Sequence, residues 1–277
     1  MKKWVTVLIL ALLTAGLAGC GNAEETEEEV YANALEAADA MNSAEVEMEM
    51  KQEIEIPGEE EVIQMESNMG GPLVMDPIAM HQKGTMSINM GELTEGMMDV
   101  EQEFYMVDNE IYMFDSLSGQ WMKMDDSMMP MELLNSNQMD ASEQLSMYEE
   151  YVEDLSFEET DDGYLLSLTA DAEGVTELTE ELLEEMIPEE LTAQLGEDAE
   201  EVLKNMKINQ LLIEMLIDKD TYEMNQYNME MDMTIVEANE EMNLIQEVKT
   251  AYKNINSIDT IEVPQDVMDS AVDGFGF

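Results

Sequence analysis

Polar and apolar residues alternate with a period of two over long stretches of this chain. From Val46 to Ile56, Val46, Met48, Met50, Gln52, Ile54 and Ile56 fall on one side, and Glu47, Glu49, Lys51, Glu53 and Glu55 on the other. That pattern predicts a half-buried antiparallel strand, closed by the turn signal Pro57-Gly58. The alternation recurs at Met80, Gln82, Gly84, Met86, Ile88 and Met90, and again at Met98, Val100, Gln102, Phe104 and Met106. Shorter strand signals follow at 111–114 and 120–124, separated by Asp115-Ser116-Leu117-Ser118-Gly119, so the first half is predicted to be a meander. Further strands are expected at 164–170, 208–217, 221–236 and 241–252; in the last hairpin Met229, Met231, Met233 and Ile235 share one side.

A period of 3.6 marks the remainder. It predicts a helix over 30–42, with Tyr31, Leu35, Ala38 and Met41 on one face, and a helical tract over 127–157 with a break at Asn135-Ser136-Asn137. Another tract over 175–205 is divided by Pro188 and Gly196, and a final helical turn over 266–272 follows the extended Ile261-Glu262-Val263-Pro264. A sheet with one dry side needs cover, and these helical tracts are expected to supply it within a single domain over 30–277.

The N-terminus changes the picture from a globule to an exported one. Met1-Lys2-Lys3 precede an apolar stretch from Trp4 to Leu17, too short to span a bilayer, then Leu17-Ala18-Gly19-Cys20. This resembles the lipobox of bacterial lipoproteins. The resemblance implies cleavage after Gly19, a diacylglyceryl thioether on Cys20, and attachment to the extracytoplasmic face of the cell membrane. Residues 20–29 are then expected to be the lipidated cysteine and an acidic tether. Cys20 is the only cysteine, so no disulfide, thiolate metal site or thiol nucleophile remains.

Charge excludes whole classes of partner. The chain carries 66 Asp and Glu against 10 Lys and Arg, for a formal net charge of −56, and the ten are all lysines. Nucleic acid and anionic headgroups are repelled. So is the chain from itself, which salt or an alkaline, saline habitat would tolerate. Yet 45% of residues are hydrophobic and periodic, so the acidity does not signal disorder.

Catalysis finds little to use. His81, the single histidine, falls on the polar side of its strand, and no Gly-x-Ser-x-Gly occurs. Among 66 acids some pair always stands at a glycosidase-like spacing, so carboxylate pairs carry no signal. Asp218-Lys219-Asp220 opens like a calcium loop, but the sixth position is Glu223 and the twelfth Met229, so a turn is expected. The chain is expected to be neither an enzyme nor a binder of metals or cofactors.

Three segments stand out in the order of elements: Asp76-Pro77, Ile111-Tyr112-Met113-Phe114-Asp115 with Gly119-Gln120-Trp121, and Ile217-Asp218-Lys219-Asp220-Thr221-Tyr222. With them the chain resembles the lipoprotein-carrier fold (LolA/LppX-like), and more closely a family of Gram-positive lipoproteins of unassigned function. The resemblance implies an α+β fold in which a strongly curved antiparallel β half-barrel is covered on its concave face by helices, around an apolar cavity for acyl chains. The residues expected to line it are Met48, Met50, Met86, Met90, Met98, Phe104, Met106, Met229, Met231 and Met233. Methionine is unbranched and polarizable, so such a wall moulds to varied apolar guests or simply fills a core; thioethers also suit Cu(I). The expected function is a monomeric, membrane-anchored protein that binds or shuttles a lipid-like molecule. The alternative is an envelope scaffold with a filled core and a cation-binding acidic surface.

Overall fold

A computed structural model describes residues 25–55, 62–91, 97–108, 110–124, 141–146, 148, 155–171, 206–237 and 240–273. The expected tract over 175–205 and most of that over 127–157 lie outside these residues, as do Cys20 and the segment before it.

Helix α1, Glu27–Asp39, starts three residues earlier than its apolar period suggests. Thr26 Oγ1 accepts the Glu29 N–H at 3.3 Å while the Glu29 carboxylate accepts the Thr26 N–H at 3.3 Å, a reciprocal cap. Glu27, Glu28 and Glu29 then sit at the positive end of the helix dipole. Residues 27–29, expected as tether, are therefore the first helical turn, and the Thr-x-x-Glu signal for it was present in the sequence. Val30, Tyr31, Ala34 and Ala38 form its buried stripe.

The strands among the described residues are β1 Ser43–Glu55, β2 Val62–Met75, β3 Ile78–Asn89, β4 Met98–Val107, β5 Glu110–Asp115, β6 Gln120–Met124, β7 Ser156–Glu159, β8 Tyr164–Asp171, β9 Met206–Ile217, β10 Met224–Glu237, β11 Glu240–Lys253 and β12 Val272–Asp273. Two short helices, α2 Ala141–Ser146 and α3 Gln265–Ser270, accompany them. They form one large open sheet in the order β12-β6-β5-β4-β3-β2-β1-β11-β10-β9-β8-β7, antiparallel except for the two-residue β12 beside β6. β1 and β11 join the two meanders at the centre through eleven residue pairs, from Glu45 opposite Lys253 to Glu55 opposite Asn243.

Two strands depart from the sequence expectation. β2 carries no clean alternation in the sequence, because Gly70-Gly71-Pro72 interrupts it; the ladder runs through regardless, with Gly71 at φ +150°. β7 falls where helix was expected to continue to residue 157. Phe157 instead lies opposite Leu166 and packs on the Tyr164 ring at a 5.5 Å centroid distance, so a cross-strand aromatic contact outweighs the helical period.

The loops 40–42, 76–77, 160–163, 218–223 and 254–257 gather at one end of the sheet; Glu55, Asn89, Met98 and Glu241 lie toward the other, and the turn 116–119 closes shorter strands partway along, with Asp115 in the row of Met48. At the first end α1 and α2 pack into a single apolar cluster with Val46, Leu73, Met80, Met106, Met215, Ile217 and Tyr252, all at most 3% exposed. Tyr31 donates its hydroxyl proton to the Leu145 carbonyl, tying α1 to α2. Tyr148 and Tyr227 share a buried hydroxyl–hydroxyl hydrogen bond of 2.9 Å. This end is a filled core.

Candidate functional site

The ladder registers carry the alternation across the sheet as rows. Ile213, Met229, Val248, Met50, Ser67, Met86 and Val100 stand opposite one another in turn on seven successive strands from β9 to β4. The next row toward the second end runs Leu211, Met231, Gln246, Gln52, Met65, Ile88 and Met98. Met48 belongs to the row before these two, opposite Met69 and Thr250, and Met233 to the row after, opposite Leu244. Seven of the ten expected lining residues thus meet on one side of the sheet, in four adjacent rows. Met90 is half-buried just beyond the end of β3. Phe104 and Met106 share the side but lie in the filled end, where Met106 is 1% exposed and opposite Met80.

Burial along this side is graded. Val46 is 1% exposed, whereas Met48, Met50, Gln52 and Ile54, further along the same strand, are half-buried. β10 and β11 repeat this: Tyr227 and Tyr252 are buried, while Met229, Met231, Val248 and Leu244 are half-buried, with Met233 the exception at 7%. In the middle of the sheet the face is therefore closed at the α1 end and partly accessible beyond it, while on the flanks of the same rows Ile213, Leu211 and Val100 stay buried. Two of its amide groups are paired: Gln52 donates to Gln246 at 3.3 Å, and buried Gln82 donates to the Gly71 carbonyl at 3.1 Å. Such a wall, apolar with isolated amide groups, suits a chain-like apolar guest and offers no nucleophile.

The residue that precedes α1 is held from two sides. Tyr164 donates to one Glu25 carboxylate oxygen and Tyr222 to the other, each at 2.5 Å. The Tyr164 bond, then the Tyr222 bond, lowers the Glu25 pKa below the ordinary carboxylate value. The same bond, with burial, pushes Tyr164 up to about 12. The signs follow. The Glu25 contribution is present above the unfolded carboxyl pKa and lost as pH falls below it; the Tyr164 contribution is full below about pH 10 and lost as pH rises through about 12. Unfolding midpoints measured from pH 9 to 12 are expected to fall for the native chain and to fall less for Tyr164→Phe.

Residues 26–272 match a family described as a family of unknown function, DUF6612. The chain belongs to this family. Among curated proteins, none matches it. Of solved structures, LprF from Mycobacterium bovis is similar over 86% of this chain and 96% of its own, at 13% identity and a TM-score of 0.37. A DUF1329 family protein from Desulfovibrio piger is similar over 80% of this chain and 91% of its own, at 9% identity and a TM-score of 0.27. For a LolA superfamily protein from Nitrosomonas europaea the coverages are 88% and 97%, the identity 9% and the TM-score 0.20.

In this DUF6612 member the opposite side of the sheet is less uniformly wet than the alternation implies. Tyr105 and Tyr112 pack there beneath Val267 of α3, with Trp121, Ile261, Val263 and Ala271 around them. The C-terminal segment lies over β4 to β6 and ends as β12. His81, expected exposed, is half-buried and stacked on Tyr105 at 4.0 Å, with Nε2 2.9 Å from Glu103. Burial raises the Glu103 pKa, but hydrogen bonds from His81 and Lys83 outweigh it and leave the group lowered. Through Tyr105 this network borders the C-terminal segment, which forms a strap over this side. Sequence reasoning missed it because Tyr105, Tyr112 and Trp121 were scored only by strand membership. An outward-facing aromatic row near a C-terminal Ile-x-Val was the available signal.

The expected turn at Asp218 is confirmed. Its Oδ1 accepts the N–H groups of Asp220 and Thr221 at 2.8 and 2.9 Å, which lowers its pKa and occupies it as a turn cap. Among the described residues no group of three or more His, Cys, Asp or Glu could hold a metal ion. Among them, too, no helix is long and apolar enough to cross a membrane.

Proposed function

We propose that this protein is a non-enzymatic, extracytoplasmic lipoprotein, anchored through diacylglyceryl-Cys20, that holds a lipid-like molecule against the methionine rows of a half-barrel of the lipoprotein-carrier type. The observation that carries this reading is the graded burial of the middle of the apolar face, flanked by the buried Ile213, Leu211 and Val100. A plain core would be closed along its whole length, but here Met48, Met50, Met86, Met98, Met229 and Met231 remain half-buried while Met106 and Met215 are sealed. Helices cover the concave side at the α1 end, and the guest lies beyond them, its acyl part on the thioethers and its polar part near the Gln52–Gln246 pair. Flexible thioether side chains accept chains of varied length, so selectivity by class rather than by species is expected.

Native mass spectrometry of the full chain, released gently from membranes, tests this. The expected spectrum shows a stoichiometric, extractable apolar adduct beyond the Cys20 modification. A uniformly empty protein whose face is closed by its own side chains would leave the filled scaffold as the function.

A further inference from the structure

Glu25, five residues after Cys20, is held at the end of the sheet opposite the half-accessible methionine rows. We infer that the protein stands with its plugged end toward the bilayer and opens its apolar face away from the membrane that holds it. This rests on the reading of Cys20 as the lipid attachment site.

The geometry is set by Glu25. Its two oxygens are taken by Tyr164 at the start of β8 and Tyr222 in the turn between β9 and β10, so the chain is pinned to the sheet only five residues after Cys20. Five residues reach at most about 17 Å. Tyr164 and Tyr222 belong to the end where α1 caps the core, since Tyr164 pairs with Ile217 and Met224 stands opposite Ile217. β1 has 13 residues, so the far end of the sheet lies about 40 Å away. A tether of this length brings the far end to the bilayer only if the strands lie along its surface. Two further features oppose that posture. The net charge of −56 repels anionic headgroups. The tethered end itself carries Asp161, Asp162, Asp218 and Asp220, so it rides near the surface without inserting.

The consequence is directional. A guest bound on the Met50 and Met231 rows is presented outward, to an apolar acceptor beyond the anchoring leaflet, and is not drawn straight from that leaflet. The double tyrosine hold on Glu25 shortens the tether: without it the free chain would run to Thr26, where the cap and buried stripe of α1 still hold it at this end.

The test uses the full lipidated chain in phosphatidylcholine vesicles containing a headgroup-nitroxide lipid, with one fluorophore at Asp220→Cys or Glu241→Cys. Glu241 is exposed opposite Val236 at the far end of the β10–β11 ladder, and the Cys20 thiol is consumed by its thioether. Quenching at position 220 is expected to exceed that at 241 by roughly threefold or more, given the separation of about 40 Å along β10. In Tyr164→Phe/Tyr222→Phe the ratio is expected to fall only modestly, with flotation unchanged, because the free chain gains about 3.5 Å per released residue. Equal or stronger quenching at 241 in the native background, with the protein floating, would overturn the orientation while leaving the anchor intact. A chain that does not float and keeps a free Cys20 thiol would overturn the anchor, and the orientation with it.

Discussion

Gly84→Ala is expected to abolish stable folding. A Cβ at this position would stand 1.8 Å from the Asn68 carbonyl oxygen and 2.8 Å from the Met69 Cα, both backbone atoms of the neighbouring strand. No rotamer relieves such a contact; β2 and β3 would have to separate where Met69 and Gly84 face each other in the central ladder. The penalty is expected to be at least about 3 kcal/mol, at the upper end of overpacking effects. Gly71→Ala meets the His81 carbonyl at 2.1 Å and is expected to behave alike. Gly119→Ala is the contrast: φ is +63°, but nothing lies within 4 Å, so only the left-handed backbone counts and about 1 kcal/mol is lost. Urea midpoints of the three variants separate the two causes.

The second large effect is a split among the methionines. Met106→Ala and Met215→Ala, at 1% and 0% exposure, are each expected to lose about 2–5 kcal/mol of stability, because deep cavities open in a core that does not collapse. Met50→Ala and Met231→Ala are expected to lose roughly 1 kcal/mol or less, being half-buried, yet to reduce the bound apolar adduct severely. Thermal unfolding and adduct occupancy measured on the same samples show whether stability and binding divide along the sheet as the burial gradient requires. If all four variants lost stability alike, the rows would be one ordinary core.

The division between these groups was only half legible in the sequence. Period-two alternation placed Met48, Met50, Met229, Met231 and Met233 on one side correctly, because a strand's side-chain period is fixed by backbone geometry. It placed Met106 among them too, although Met106 belongs to the sealed cluster of the closed end. Alternation reports which face a residue is on and carries nothing about position along the face; that depends on where α1 and α2 dock. The same limit explains β2, where Gly70-Gly71-Pro72 hid a strand whose partners on both sides impose it. It also explains the strap, which buries Tyr105 and Tyr112 on a side that looked polar from β1 and β3. The Glu25 hold depended on contacts 139 and 197 residues apart, beyond any local pattern.

Photolabelling locates the guest directly. The purified full chain would be loaded with a diazirine-bearing long-chain fatty acid, irradiated and mapped by peptide mass spectrometry. Labels are expected on the half-buried methionine rows, above all around Met50, Met86 and Met231, and absent from the strap face around His81 and Tyr105. Labels confined to the strap face, or no saturable labelling at all, would contradict the assignment of this face as the binding surface.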